Sequence, residues 1–203
     1  MNLENVSDMY CDVLKEIGNI GAGNATTAIA SMLGVKVDMK VPSVKFMNVS
    51  EMGGALGDEE AMVVGIFLEV ELDINGSMMF IMDMDSAHFL VNSLMMRDQS
   101  YQEDFDEMDL SAIKEIGNII AASYLSALSG LTNMTISPSV PYLCIDMAAA
   151  ILSVPAIQFG VMGDNALMIQ TEFGDDYQVK GSFILMPDEE SYDKILKSLG
   201  VIM

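Results

Sequence analysis

Residues 16–30, EIGNIGAGNATTAIA, combine three glycines with Glu16 and Asn19. Glycine-rich loops bind phosphate through backbone N–H groups, so one interpretation is a nucleotide-binding loop. The other is a helix whose polar face brings Glu16 and Asn19 to a reaction. The glycines are spaced Gly-x-x-Gly-x-Gly, not Gly-x-Gly-x-x-Gly, and the Gly-Lys-Ser/Thr of a P-loop is absent. The order of the glycines therefore disfavours the phosphate loop.

The chain repeats this segment. Residues 15–34, KEIGNIGAGNATTAIASMLG, return at 114–133 as KEIGNIIAASYLSALSGLTN, an offset of 99. The second copy has Ile120 and Ala122 where the first has Gly21 and Gly23, and a phosphate cradle would not survive that in both copies. What persists is Lys-Glu-Ile-Gly-Asn-Ile. The candidate functional residues therefore form two equivalent pairs: Glu16 with Asn19, and Glu115 with Asn118.

The duplication extends along the whole chain. At the offset of 99, Pro42 corresponds to Pro141, and residues 76–94 match residues 181–199 at an offset of 105. Packing preserves a buried apolar face after duplication, but it gives no reason to preserve exposed Glu and Asn residues. The doubled pairs therefore favour a function. The sequence predicts one domain made of two repeats, residues 1–97 and residues 104–203.

Each repeat is predicted to form a long helix, then strands, then a second helix. Ser7 and Asp106 are favourable N-cap residues, which predicts helices at 7–33 and 107–130. The other predicted elements are strands within 35–49, 61–72 and 77–83, a helix at 85–96, a polar linker at 97–107, a strand at 134–145, a short helix near 146–153, three further strands, and a helix at 188–199. The paired strands favour a mostly antiparallel sheet with helices packed on it, an α+β fold.

Helical periodicity gives the first long helix two faces. The predicted exposed face carries Asp12, Glu16, Asn19, Gly23, Thr26 and Ala30. The predicted buried face carries Leu14, Ile17, Gly18, Gly21, Ala25, Ala28 and Met32. Small residues on the buried face let another element approach closely, which explains the glycines by packing. Each Glu/Asn pair also has a very small neighbour, Gly23 or Ala122, so a large partner has room to contact the pair.

The composition limits the classes of partner. Nine basic against 30 acidic residues give a net charge of −21, which disfavours nucleic acid and anionic membranes and favours a partner with a basic patch. We find no signal peptide, no apolar run long enough to span a membrane and only two isolated cysteines, so we expect a cytoplasmic protein. The only histidine, His88, has no histidine at its repeat position and is predicted to lie on a helix surface. The acidic stretch 104–109 lacks the glycine and final glutamate of a calcium loop, so it is interpreted as linker and N-cap.

The spacing of the doubled residues resembles the signature of the CheC/CheX/FliY phosphatase family of bacterial and archaeal chemotaxis. That signature is Asp or Ser, three residues, Glu, two residues, Asn, twenty-two residues and Pro. It occurs here as Asp12, Glu16, Asn19 and Pro42, and again as Ser111, Glu115, Asn118 and Pro141. The doubled layout over the whole chain resembles the CheC branch of the family.

The resemblance implies hydrolysis of the aspartyl phosphate of the response regulator CheY. It implies that the asparagines hold a water in line with phosphorus, a role suited to phosphoryl transfer, which needs mainly positioning and charge neutralisation. The glutamates would pair with a lysine of the regulator, which would itself supply Mg²⁺, so no metal or cofactor is expected in this chain. The differing residues Asp12 and Ser111, together with Pro42 and Pro141, are interpreted as supporting positions.

The stretch CIDMAAAILSVPA, residues 144–156, has no evident twin in the first repeat. The resemblance implies that this segment binds the receptor deamidase CheD through Asp146, Met147 and Ala150, with Asp146 expected as the helix N-cap. The alternative function is a non-catalytic scaffold similar to the FliM middle domain, which the intact Glu/Asn pairs argue against.

Overall fold

The computed structural model describes residues 3–34, 38–48, 52, 57–158, 165–173 and 179–200. The helices are α1 (Leu3–Leu33), α2 (Met84–Leu94), α3 (Glu107–Thr132), α4 (Ala148–Gln158) and α5 (Glu189–Ser198). The strands are β1 (Met39–Asn48), β2 (Met62–Leu72), β3 (Gly76–Asp83), β4 (Ile136–Pro138), β5 (Tyr142–Met147), β6 (Asn165–Phe173) and β7 (Val179–Pro187). The predicted α+β class is confirmed. No helix in the described ranges combines the length and apolarity needed to cross a bilayer.

The seven strands of the described residues lie in one antiparallel sheet with the order β1-β6-β7-β3-β2, and β4 and β5 both pair with the far side of β2. The centre of the sheet is a pseudo-two-fold axis. Met79 of β3 pairs with Ile184 of β7, which is its own equivalent at the offset of 105. The two repeats therefore meet at their third strands and form a single continuous sheet.

The outer strand of each repeat pairs with a strand of the other repeat. Strand β1 pairs with β6, and β5 pairs with β2. Val44 of β1 lies opposite Ile169 of β6, and its counterpart at the offset of 99, Leu143 of β5, lies opposite Ile66 of β2. Because the outer strands are exchanged, each repeat is completed by the other.

Helices cover both faces of the sheet, which explains why its central strands are almost continuously apolar. The first face packs against α1, α2, α3 and α5, with Phe80 and Phe183 fully buried at its centre. The second face packs against Ala148, Ile151 and Leu152 of α4. Met52, the residue that corresponds to Ile151 at the offset of 99, is buried in the same cluster. At least this one position of α4 thus has a packing counterpart in the first repeat.

Several predicted boundaries are wrong. Helix α1 begins at Leu3, so Ser7 lies inside it and is not its N-cap. The predicted strand 134–145 is two short strands separated by residues 139–141, and the described residues contain two strands between α4 and α5, not three. On the predicted buried face of α1, Met32 is 38% exposed because it lies in the last turn, beyond the sheet contact.

The glycines of the repeated motif are packing residues, as predicted. A methyl group on Gly117 would overlap the buried Ile66 side chain of β2. The equivalent Gly18 lies over β1 and β6, where a Cβ would sit 3.3 Å from Cγ1 of Val41 and 3.5 Å from Cγ2 of Ile169. Each long helix therefore rests, through its motif glycine, on the second strand of the other repeat.

We expect Gly117→Ala to destabilise the protein by about 1–3 kcal/mol, because the added methyl has no room against a side chain that is fixed in the core. Gly130→Ala, in the same helix, is the matched control, since nothing lies within 4 Å of a Cβ built at that position. That change should stabilise by about 0.5–1 kcal/mol through helix propensity. Urea unfolding of the two variants measures both effects, and equal stabilities would contradict the packing assigned to Gly117.

Candidate functional site

The second copy of the motif lines an open cleft of about 590 Å³. One wall is α3 and the other is the chain between β4 and β5. The cleft is lined by Ser111, Lys114, Glu115, Asn118, Pro138, Ser139, Val140 and Pro141. The structure thus brings together all four second-copy residues that the sequence singled out, although Pro141 is 23 positions from Asn118.

The exposure of Glu115 and Asn118 follows from what the rest of α3 buries. Ile113, Ile116 and Gly117 are buried against the sheet, which turns the positions between them away from the core. Glu115 is exposed and Asn118 is half-buried at the cleft. Apolar packing on one side of the helix therefore fixes the direction of the polar pair on the other.

The first copy presents its pair in the same way. Glu16 and Asn19 are exposed on α1, while Ile17 and Gly18 between them are buried. Gly23, one turn further, has nothing within 4 Å of its Cβ direction. Its twin Ala122 is also exposed, so the space expected beside each pair is present. The side chains of Asp12 and Pro42 lie outside the described residues.

Both motif prolines interrupt an edge strand of the sheet. The β1–β6 register shifts between Lys40 and Ser43, the interval that contains Pro42. Pro141 lies in the gap between β4 and β5. Proline has no N–H to donate to a ladder, so it is tolerated at edge strands and irregularities. At Pro141 the interruption moves the chain out of the ladder and forms one wall of the cleft.

The four polar side chains of the pairs have no internal partner among the described residues. Across the part of the chain that the structure describes, Glu16, Asn19, Glu115 and Asn118 make no hydrogen bond or ion pair. In the same residues no group of three or more His, Cys, Asp and Glu side chains is placed to hold a metal ion. The carboxylates and amides therefore stay available for an external partner.

A network of charges fixes the N-terminus of α3 one turn before Ser111. Asp106 is the N-cap, as predicted, and accepts from the Asp109 N–H at 2.9 Å, while the Asp109 carboxylate accepts from the Asp106 N–H at 3.2 Å. Arg97 donates to Asp109 at 2.9 Å. Burial would raise the pKa of Asp109, but the Arg97 hydrogen bond and charge outweigh it, and the pKa is lowered. This stabilisation is therefore present at neutral pH and is lost when acid protonates Asp109.

The residues expected to bind a second partner lie at the end of β5 and in the first turn of α4, and none of them lines the cleft. Asp146 is in β5 and not at a helix N-cap, since it pairs with Val63 and α4 begins at Ala148. Its carboxylate is exposed and accepts the Met147 N–H at 2.8 Å. Met147 lies opposite Met62, and both are about half exposed, at 46% and 49%.

Ala150, the third of these residues, is half-buried on α4. The prediction of Asp146 as an N-cap is wrong because this residue pairs with β2 as part of β5, and α4 begins two residues later. The surface therefore combines a strand end with the first turn of the helix.

Two remaining expectations concern His88 and the cysteines. His88 is wrong as a surface residue: it is 7% exposed and stacks on Phe105, with ring centroids 4.3 Å apart. The prediction missed this contact because residues 97–107 were interpreted as a polar linker, although they contain Phe105. Cys144 is half-buried, and burial, with the charge of Asp146, raises the pKa of its thiol. The Cys11 side chain lies outside the described residues.

Sequence reasoning missed Lys114 and the residues just before Pro141 as cleft residues. The retained Lys-Glu dipeptide was the available signal for Lys114. Nothing local signals Pro138 or Val140, because their place opposite α3 depends on the pairing of β4 with β2.

Comparison with known proteins gives consistent similarities. The CheC-like family matches residues 9–46 and 108–145, the two motif segments. The CheY-P phosphatase CheC of Bacillus subtilis (strain 168) is 36% identical over 200 residues, with 96% of each chain covered. Two solved structures share the fold. Thermotoga maritima FliY has a TM-score of 0.73 and 22% identity, covering 94% of this chain and 95% of that one. The FliM middle domain of Vibrio alginolyticus has a TM-score of 0.65 and 14% identity, covering 90% of this chain and 97% of that one.

We expect Asp106→Ala to lower the free energy of unfolding by about 1 kcal/mol, the usual cost of removing an N-cap. Asp104→Ala is the matched control, because this exposed carboxylate in the same segment makes no capping bond. Denaturant titration of both variants checks the prediction. An effect of Asp104→Ala as large as that of Asp106→Ala would show that loss of charge, not of the cap, is responsible.

Proposed function

The chain belongs to the CheC-like family, and on that basis we propose that it is a phosphatase that hydrolyses the aspartyl phosphate of the response regulator CheY. The observation that carries this proposal is the cleft in which Glu115 and Asn118 face Pro141, with an equivalent exposed pair on α1. The B. subtilis relative, which is similar over nearly its whole length, carries this activity in its name.

The proposed mechanism uses positioning. Phosphoryl transfer passes through a loose transition state in which the attacking water must lie in line with the leaving oxygen. The amides of Asn19 and Asn118 would orient that water, since an amide can both donate to and accept from it. Both amides project from long helices that are anchored on the sheet, so their positions are set before the partner arrives.

The glutamates would dock the partner. Glu16 and Glu115 are exposed and make no ion pair with any described residue, so each can pair with a lysine beside the phosphoryl group of CheY. The same partner would bring the Mg²⁺ that the reaction needs. Asp12 and Ser111 would support the docking, and Pro42 and Pro141 would shape the facing strand.

A second proposed surface binds CheD. It consists of Asp146, Met147 and Ala150, near the exposed Met62. Methionines suit an adaptable apolar contact, and an exposed aspartate beside them adds direction. This surface does not line the cleft, so binding there is separable from phosphatase activity.

A scaffold without catalysis is the alternative, favoured by the shared fold with the FliM middle domain. The two functions differ in one measurement. Release of phosphate from phosphorylated CheY must be faster with this protein than without it if the chain is a phosphatase, and unchanged if it only binds.

We expect Asn19→Ala and Asn118→Ala each to remove part of the activity, and the double variant to lower kcat by roughly a hundredfold or more, because the water is no longer oriented. Glu16→Ala and Glu115→Ala should instead raise KM, since docking is weakened. Phosphate release from phosphorylated CheY gives both constants. Asn24→Ala, an exposed asparagine on α1 outside the motif, is the matched control. A double variant with the parent kcat would contradict the mechanism.

We expect Asp146→Lys to abolish CheD binding while fold and phosphatase activity persist, because the change reverses the charge of a side chain away from the cleft. Asp104→Lys makes the same charge change at an exposed position elsewhere and should bind CheD normally. Calorimetric titration with CheD compares the two. Equal affinities for folded Asp146→Lys and Asp104→Lys would remove this surface from consideration.

A further inference from the structure

Lys114 is the one positively charged side chain in the lining of the cleft at the second copy of the motif. It precedes Glu115 and stands four residues before Asn118, so Lys114 and Asn118 are neighbours one helical turn apart on the same side of α3. The cleft therefore presents a cation, a carboxylate and an amide along one stripe of the helix.

The lysine is also kept in both repeats. The chain has nine basic residues, and only Lys15 and Lys114 correspond to each other at the repeat offsets. Each of the other seven basic residues corresponds to an uncharged residue in the opposite repeat. In so acidic a chain, retention of this single basic pair beside the retained Glu and Asn points to a shared role.

An internal structural role does not account for Lys114. Its neighbours one helical turn away are Leu110, Ser111, Gly117 and Asn118, none of which is acidic, so no intrahelical ion pair is available. Lys114 also makes no ion pair with any residue in the described ranges. By contrast, Lys40, Arg97 and Lys194 each pair with a carboxylate. Lys114 is half-buried at the cleft, and no described carboxylate lies within ion-pair distance of its ammonium group.

We propose that Lys114, and Lys15 in the first copy, bind a phosphoryl oxygen of the phosphorylated partner. This inference rests on the proposed function. A lysine ammonium binds phosphate as a point charge, and negative charge on the transferred group is spread over oxygens that a cation stabilises. The adjacent Lys114 and Glu115 thus match two opposite charges in the partner: Lys114 takes the phosphoryl group and Glu115 takes the neighbouring lysine.

The test uses the full chain with Asn19→Ala, so that activity comes from the second copy. In this background we expect Lys114→Met to lower kcat/KM for dephosphorylation of CheY about tenfold, the effect of losing one hydrogen bond to a charged group. Lys114→Arg should retain most of the activity, because the charge remains. The dependence of kcat/KM on ionic strength should weaken in Lys114→Met, and thermal unfolding should not change. Lys197→Met, an exposed lysine of α5, is the control for loss of one positive charge.

The outcomes separate the two proposals. If Asn118→Ala abolishes activity in this background and Lys114→Met keeps the parent kcat/KM, the role of Lys114 is overturned alone. If Asn118→Ala has no effect, the proposed function fails and the lysine inference fails with it. If Lys114→Met and Lys114→Arg lose activity equally together with stability, the lysine is structural and the inference is overturned.

Discussion

The contact on which both candidate sites depend is the close packing of a motif glycine on a strand of the opposite repeat. Gly117 lies on Ile66, and Gly18 lies on Ile169. A methyl group at Gly117 would overlap Ile66 and push α3 away from the sheet, whereas one at Gly18 would meet Val41 at 3.3 Å and Ile169 at 3.5 Å, a tighter fit with less displacement. Glycine normally weakens a helix, by about 1 kcal/mol relative to alanine, so its presence on the buried face of each long helix is explained by the approach it permits. The local cost to the helix is balanced by packing in the core.

The exchange of outer strands joins the two sites into one unit. Strand β1 completes the second repeat and β5 completes the first, around an axis at the Met79–Ile184 pair. A helix of one repeat thus rests on strands of the other, so a disturbance of either half reaches both helices. The motif prolines fall in the edge strands, where a missing N–H costs little and where the chain can leave the ladder to form a wall opposite the helix.

The cleft is open to solvent, and this openness affects how the site could distinguish one partner protein from another. Glu115 is exposed and Asn118 half-buried in a wide cleft, so neither group works in a water-excluded environment by itself. Electrostatic interactions strengthen when a partner displaces water, and a composite site then gains much of its effect only in the complex. Specificity in the proposed function would accordingly come from complementarity of whole protein surfaces. Because the chain is strongly negative, a positively charged side chain at the cleft, such as Lys114, would favour particular orientations of a charged partner.

The sequence alone determined what depends on local order. The repeat fixed the two Glu/Asn pairs. Helical periodicity predicted the buried glycine face, and Asp106 was recognised as an N-cap because capping involves residues three apart. The tertiary structure decided what depends on distant partners. Asp146 became a strand residue because β2 pairs with it, and His88 became buried because Phe105 folds back on it. The position of Val140 across the cleft from α3 likewise follows from pairing between strands more than sixty residues apart, whose free energy is absent from any local window of sequence.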